Sequence, residues 1–220
     1  GVNQPAKTNI IDYITIATTG DATDFGDLTV ARDFPAGSSN NIRGVFAGGR
    51  SPGSDATIDK ISIPTQGNAS DFGNLAATTR DVANASSLTR ALTAGGYVSD
   101  YTDTIESVEM ATEGNGSDFG NLLAGTYSAQ TGNIGNTTRG VFSGGHVSPA
   151  QTNVMQYVTI ATVGNTTDFG NLTLARQDIA GVSNSTRGIN GGGVISRNQS
   201  TQNIESGIYI AAGALGGCQN

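Results

Sequence analysis

Apolar and hydroxyl-bearing side chains alternate in short runs along this chain. Tyr13-Ile14-Thr15-Ile16 and Tyr157-Val158-Thr159-Ile160 alternate at period two, as half-buried strands do. Leu28–Arg32 reads as a second strand, the small-residue stretches Ala36–Ser39 and Ala180–Ser183 as a third, and Arg43–Ala47 as a fourth. Clusters of Gly, Asn, Asp and Ser between these runs predict turns.

The pattern repeats. Asp-Phe-Gly begins at Asp24, Asp71, Asp118 and Asp168, with spacings of 47, 47 and 50. A glycine pair follows each copy, at Gly48–Gly49, Gly95–Gly96, Gly144–Gly145 and Gly192–Gly193. Arg43, Arg90, Arg139 and Arg187 each open the short run before a pair. A third element precedes each Asp-Phe-Gly, at Ile11–Ala17, Ile58–Pro64, Ile105–Ala111 and Met155–Ala161, and returns a fifth time at Ile204–Ala211. Four short strands in about 47 residues are the pattern of a propeller blade, and the small-residue run suits the crowded innermost strand.

The expected fold is therefore all-β: a propeller of about four blades, each of four short antiparallel strands, with a spare C-terminal strand. One repeat domain is expected over residues 1–212. Its repeats run roughly 1–32 (a half), 33–80, 81–128, 129–176 and 177–212 (partial), with a tail at 213–220. The chain opens part-way through a repeat, on Gly rather than Met, which suggests a processed chain or a segment of something longer. Joining the last half-unit to the first would complete a fourth blade and remove the sheet edges.

The succession of Arg32, Arg43-Gly-Val-Phe-Ala-Gly-Gly and Ile58–Ile63 resembles the kelch repeat. Arg176 with Arg187–Gly193 and Ile204–Ile210 shows the pattern again. The Trp of ordinary kelch units is missing, and Asp-Phe-Gly-(Asp/Asn)-Leu stands in its place, with Phe25, Phe72, Phe119 and Phe169 as replacement anchors. The variant with Ala-Thr-x-Gly-(Asp/Asn) before Asp-Phe-Gly looks most like repeats in virion structural and tail-fibre-type proteins of marine and cyanobacterial phages. The resemblance implies a noncatalytic structural or adhesive module at a virion or another extracellular location. Its partners would be other virion or fibre proteins or a host-surface glycan, within a larger assembly or homo-oligomer.

Composition narrows the function classes. Gly makes up 32 of 220 residues, twice the usual ~7%, while charged residues are 13% against a usual ~25%. Two lysines and four glutamates are too few for a helical bundle. The formal charge is −7 with singly spaced arginines, so the basic stripe of a nucleic-acid binder is missing. One cysteine, Cys218, rules out an intrachain disulfide framework, and no apolar run of 18 residues suggests a membrane span.

Candidate chemistry is sparse. Asp-Phe-Gly holds magnesium in protein kinases, but the Gly-rich loop, strand lysine and catalytic loop do not accompany it here. Four copies at repeat spacing read as a structural turn in which Asp accepts backbone hydrogen bonds and Phe fills the core. Asp21, Asp24 and Asp27 raise calcium, yet Asn at the flanking positions of later repeats suits Asx turns better. His146 has no partner for zinc and no nucleophile elbow, so neither catalytic residues, metal nor cofactor are expected. The four repeated arginines are expected to bridge blades, with the Asp of Asp-Phe-Gly as a partner. Recognition falls to the loops that differ between repeats, where Tyr97, Tyr101, His146 and Arg197 are the candidate ligand residues. A propeller lectin acting alone and a filament subunit linked by strand addition are the alternatives; an enzyme using a propeller face is a remote third.

Overall fold

The computed structural model describes residues 6–129 and 134–195. These residues fold as antiparallel β-strands without a helix. The first two strands, β1 (Ile10–Tyr13) and β2 (Thr23–Asp27), form a ribbon of their own. A complete unit follows, ordered β3 (Ala36–Ser39), β4 (Arg43–Ala47), β6 (Gly53–Ser62) and β7 (Ser70–Thr79), with β5 (Arg50–Ser51) folded onto the start of β6. The next unit contains β8 (Ala83–Ser86), β9 (Arg90–Ala94), β10 (Thr104–Glu109) and β11 (Ser117–Asn121) in sequence order. A third unit pairs β12 (Arg139–Ser143), β15 (Val154–Thr159) and β16 (Thr167–Asn171), with the hairpin β13 (His146–Val147) and β14 (Ala150–Gln151) between. Gly135 bridges to Gly140 on its inner side. The last described pair is β17 (Ala180–Ser183) and β18 (Gly188–Gly191).

The small-residue runs become the innermost strands. Ala83, Asn84, Ala85 and Ser86 are all buried, and β8 lies beside both β3 and β12. Short side chains let these strands approach, and Asn84 and Ser86 donate to the carbonyls of Gly37 and Ser39 across the gap.

Asp-Phe-Gly is a strand rather than the turn expected from sequence. In every copy it belongs to the outer strand, and pairing slips by one residue at the same place. Ile58 faces Gly73 and Asp59 faces Asp71, which leaves Phe72 as the extra residue of a β-bulge; Phe25, Phe119 and Phe169 are its counterparts. A bulge re-aims its side chain. It turns Phe25, Phe72 and Phe119 into buried sites at 8%, 3% and 0% exposure, whereas Phe169 is 48% exposed. Asp24 and Asp168 brace the bulge, each accepting a hydrogen bond from the glycine two residues on, at 3.0 and 3.2 Å. The bulged Phe25, Phe72 and Phe119 carbonyls then accept from Gly67, Gly114 and Gly164 of the following unit at 2.8–2.9 Å.

Leu28–Arg32 is likewise not the strand expected, because Thr23–Asp27 already occupies the ladder with β1. The segment crosses to the next unit, donating from Leu28 to the Asn9 carbonyl and from Arg32 to the Thr8 carbonyl. Ile14 and Ile16 lie beyond β1 and are exposed.

The apolar core lies between consecutive sheets. Val45, Ile58, Phe72, Leu75, Val108 and Met110 fill the joint between the β3–β7 and β8–β11 units. Leu92, Ile105, Phe119, Phe142, Val158 and Ile160 fill the joint between the β8–β11 unit and the unit of β12, β15 and β16. Among the described residues β18 pairs only with β17 and β1 only with β2, so the joining of half-units expected from sequence is not among the observed pairings. Ile189 on β18 is accordingly 57% exposed, while its counterpart Leu92 is fully buried. The expected spare strand, Ile204–Ala211, and Cys218 lie outside the described residues.

Candidate functional site

Each glycine pair ends a second strand and reverses the chain against the segment entering that unit. At Gly96 (φ +101°) a Cβ would sit 2.6 Å from Thr79 Oγ1, and at Gly145 (φ +103°) 2.6 Å from Thr126 Cγ2, so only glycine allows the approach. The residue after the pair then bridges the residue after the crossing: Arg50 with Asp33, Tyr97 with Arg80, His146 with Tyr127, and Val194 with Gln177. The backbone arrangement is constant and the chemistry changes.

Arg50 and Asp33 form a two-pronged ion pair at 3.0 and 2.6 Å, and those hydrogen bonds hold the Asp33 carboxyl below its ordinary pKa. Arg80 lies 4.7 Å over the Tyr97 ring and pairs with Asp81 at 3.3 Å. Burial pushes the Asp81 pKa up, against the pull of Arg80. Asp81 also takes a left-handed backbone (φ 57°), as do Phe34, Ser128 and Asp178 at the same position of other repeats. Ser128 N donates to Asp81 O and Asp178 N to Ser128 O, both at 2.9 Å, which ties successive units together and holds that conformation.

Three of the four loop candidates converge. Tyr101 of one unit meets His146 of the next, Tyr127 touches both, and Tyr97 packs against the two tyrosines. The Tyr101 and Tyr127 rings stack at 4.8 Å with planes 17° apart, and His146 lies 5.3 and 5.4 Å from them. All four residues are half-buried. Desolvation raises the pKa of the Tyr101 phenol, with Tyr127 and Asp100 adding to the effect. Among the described residues the Nδ1 of His146 is buried without a hydrogen-bond partner. Arg197 lies outside the described residues.

Sequence reasoning missed Tyr127. Its signal was its offset: it occupies the slot of Asp33, Arg80 and Gln177, opposite the residue after each glycine pair.

The repeated arginines choose other partners than the Asp of Asp-Phe-Gly. Arg43 donates to the Met110 carbonyl of the following unit and lies 5.8 Å over Phe72. Arg90 repeats this on Ile160 O and Phe119, and pairs with Glu109. Arg139 sits 4.3 Å over Tyr157. Arg187 lines an open cavity of about 260 Å³ with Arg139, Met155 and the exposed Phe169. The bulge explains the difference, since it points the aspartate back at its own strand's amide.

No family model matches this chain, and no curated protein does. Among solved structures, YjhT is similar in fold, with a TM-score of 0.63 at 10% identity. The match covers 80% of this chain and spans 66% of the length of YjhT.

Proposed function

We propose that this chain is a kelch-like β-propeller module without chemistry of its own, a virion or tail-fibre component that displays its loop face to a host-surface glycan or a neighbouring particle protein. In this reading the sheets are blades around an axis. A polar cavity of about 520 Å³ supports that arrangement, because Asn40, Ser87, Asn136 and Ser183, from the inner hairpins of four successive units, all line it. The repeat motifs and the acidic, lysine-poor composition support the virion assignment.

The observation that carries the binding role is the cluster of Tyr97, Tyr101, Tyr127 and His146 on a rigid scaffold. Stacked, half-open tyrosines offer flat apolar faces with polar tips, suited to a pyranose ring or a protein surface. On a glycan array, the wild type is expected to bind a restricted set of saccharides. Tyr101→Ala and Tyr127→Ala should each weaken that binding about tenfold. Unchanged binding in both variants would remove the cluster from the site, and antibodies that fail to label purified particles would remove the virion assignment.

A second reading, a filament subunit linked by strand addition, is favoured by the edge of β18 that has no strand partner among the described residues, and by the exposure of Val182 and Ile189. Concentration-dependent sedimentation abolished by Ile189→Lys would support it.

A further inference from the structure

The repeats permit one joint to be compared with the next, residue by residue. At the entrance to the first complete unit, Arg32 and Asp59 form an ion pair at 2.9 Å with both side chains fully buried. Arg32 also donates to the Phe46 carbonyl at 3.1 Å, and Asp59 accepts from the Thr29 amide and hydroxyl. At the next joint the same register places Glu106 where Asp59 stands, Thr79 where Arg32 stands, Thr93 where Phe46 stands and Ala76 where Thr29 stands. The carboxylate remains but two of its donors are gone. Glu106 keeps the bond from the Ala76 amide, at 2.8 Å. The third joint removes the charge instead: Gln156 accepts from Leu123 N at 2.7 Å and from Thr166 Oγ1 at 2.6 Å.

Where the guanidinium of Arg32 lies in the first joint, the second has a pocket of about 150 Å³, lined by Thr79, Thr93, Val98, Thr102, Thr104 and Glu106. Glu106 is 8% exposed and Thr79 5%, and Thr79 Oγ1 is buried without a hydrogen-bond partner among the described residues. Val98, 36% exposed, stands at its outer wall. An acid, an unpartnered hydroxyl and an open volume thus occupy the place of a missing arginine head.

We propose that this pocket is a binding site for a guanidinium group, supplied either by an arginine side chain of a partner protein or by a free guanidino compound. The carboxylate of Glu106 receives the fork, and the Thr79 hydroxyl accepts a further N–H. The threonine-lined wall accommodates the stem.

Titration of the intact protein with methylguanidinium, followed by NMR shifts of the amides around Glu106, tests this. Saturable binding is expected, weakened at least tenfold by Glu106→Gln. That variant copies Gln156 of the third joint, so it retains a partner for the Ala76 amide. Thr79→Arg, which copies the first joint, should fill the pocket, abolish binding and raise Tm. Ethylammonium should bind less well than methylguanidinium, and equal affinity would overturn the guanidinium assignment. A capped Gly-Arg-Gly peptide binding more tightly than methylguanidinium would support an arginine side chain as the source; weaker binding would support a free guanidino compound. Absence of saturable binding to the wild type, or undiminished binding to Glu106→Gln, overturns the proposal.

Discussion

Phe25, Phe72, Phe119 and Phe169 hold one position in four repeats, so replacing each by alanine isolates the effect of burial from that of chemistry. Phe119 is fully buried among Leu92, Ile105, Phe142 and Ile160, and its removal leaves a sealed cavity. A loss of about 3–5 kcal/mol is expected there. Phe169 is 48% exposed. Only half of a transfer free energy of ~2–3 kcal/mol is at stake, with no closed cavity to add, so its loss should be about 1 kcal/mol. At ~2–4 °C per kcal/mol for a chain of this size, Phe119→Ala should lower Tm by roughly 6–20 °C and Phe169→Ala by roughly 2–4 °C. Phe72→Ala should behave like Phe119→Ala. Urea unfolding followed by circular dichroism, with calorimetry for Tm, measures all four. If Phe169→Ala is as costly as Phe119→Ala, something covers Phe169 in solution, and the inference from this packing is wrong.

Burial raises the Glu106 pKa above that of an ordinary glutamate, with Asp118 adding to the effect and the Ala76 hydrogen bond opposing it. The folded state therefore holds its proton more tightly than the unfolded chain. This contribution to stability is complete below the ordinary glutamate value and is lost as pH rises through the folded value. Urea midpoints of Glu106→Gln should lack this decline and exceed the wild type at neutral pH; parallel pH profiles would refute it. Asp59→Asn should cost about 3–5 kcal/mol, because it strands the buried Arg32 charge. The pair Arg32→Thr with Asp59→Gln, copying Thr126 and Gln156 at the same positions of the third joint, should cost less in the same assay, and an equal cost would contradict the charge argument. Gly73 has φ +149°, and a Cβ there would strike the Gly114 carbonyl, whereas at Gly170 the nearest atom is Met155 Cε at 4.0 Å. Gly73→Ala should thus lower Tm well beyond Gly170→Ala, and equal shifts would refute the contact argument.

The strands Ala36–Ser39, Arg43–Ala47 and Ala180–Ser183 were legible because alternation and turn residues act over a few positions. Asp-Phe-Gly was misread because Asp and Gly favour turns. Opposite a paired strand the same residues stabilise a bulge, whose extra residue then carries the phenylalanine into the joint. Tyr97, Tyr101 and His146 stood out as unlike residues in variable loops, but their meeting with Tyr127 depends on how one unit seats on the next.

The sequence by itself determined an all-β chain of recurring short-strand units, because strand periodicity, glycine placement and repeat spacing are local quantities. Only the tertiary structure decided which groups meet across the joints. Arg32 finds Asp59 27 residues away, and Arg90 reaches the carbonyl of Ile160 70 residues away. Such pairings are fixed by the burial of one sheet against another, where an unpaired charge or a misplaced ring is costly, and no spacing along the chain encodes them.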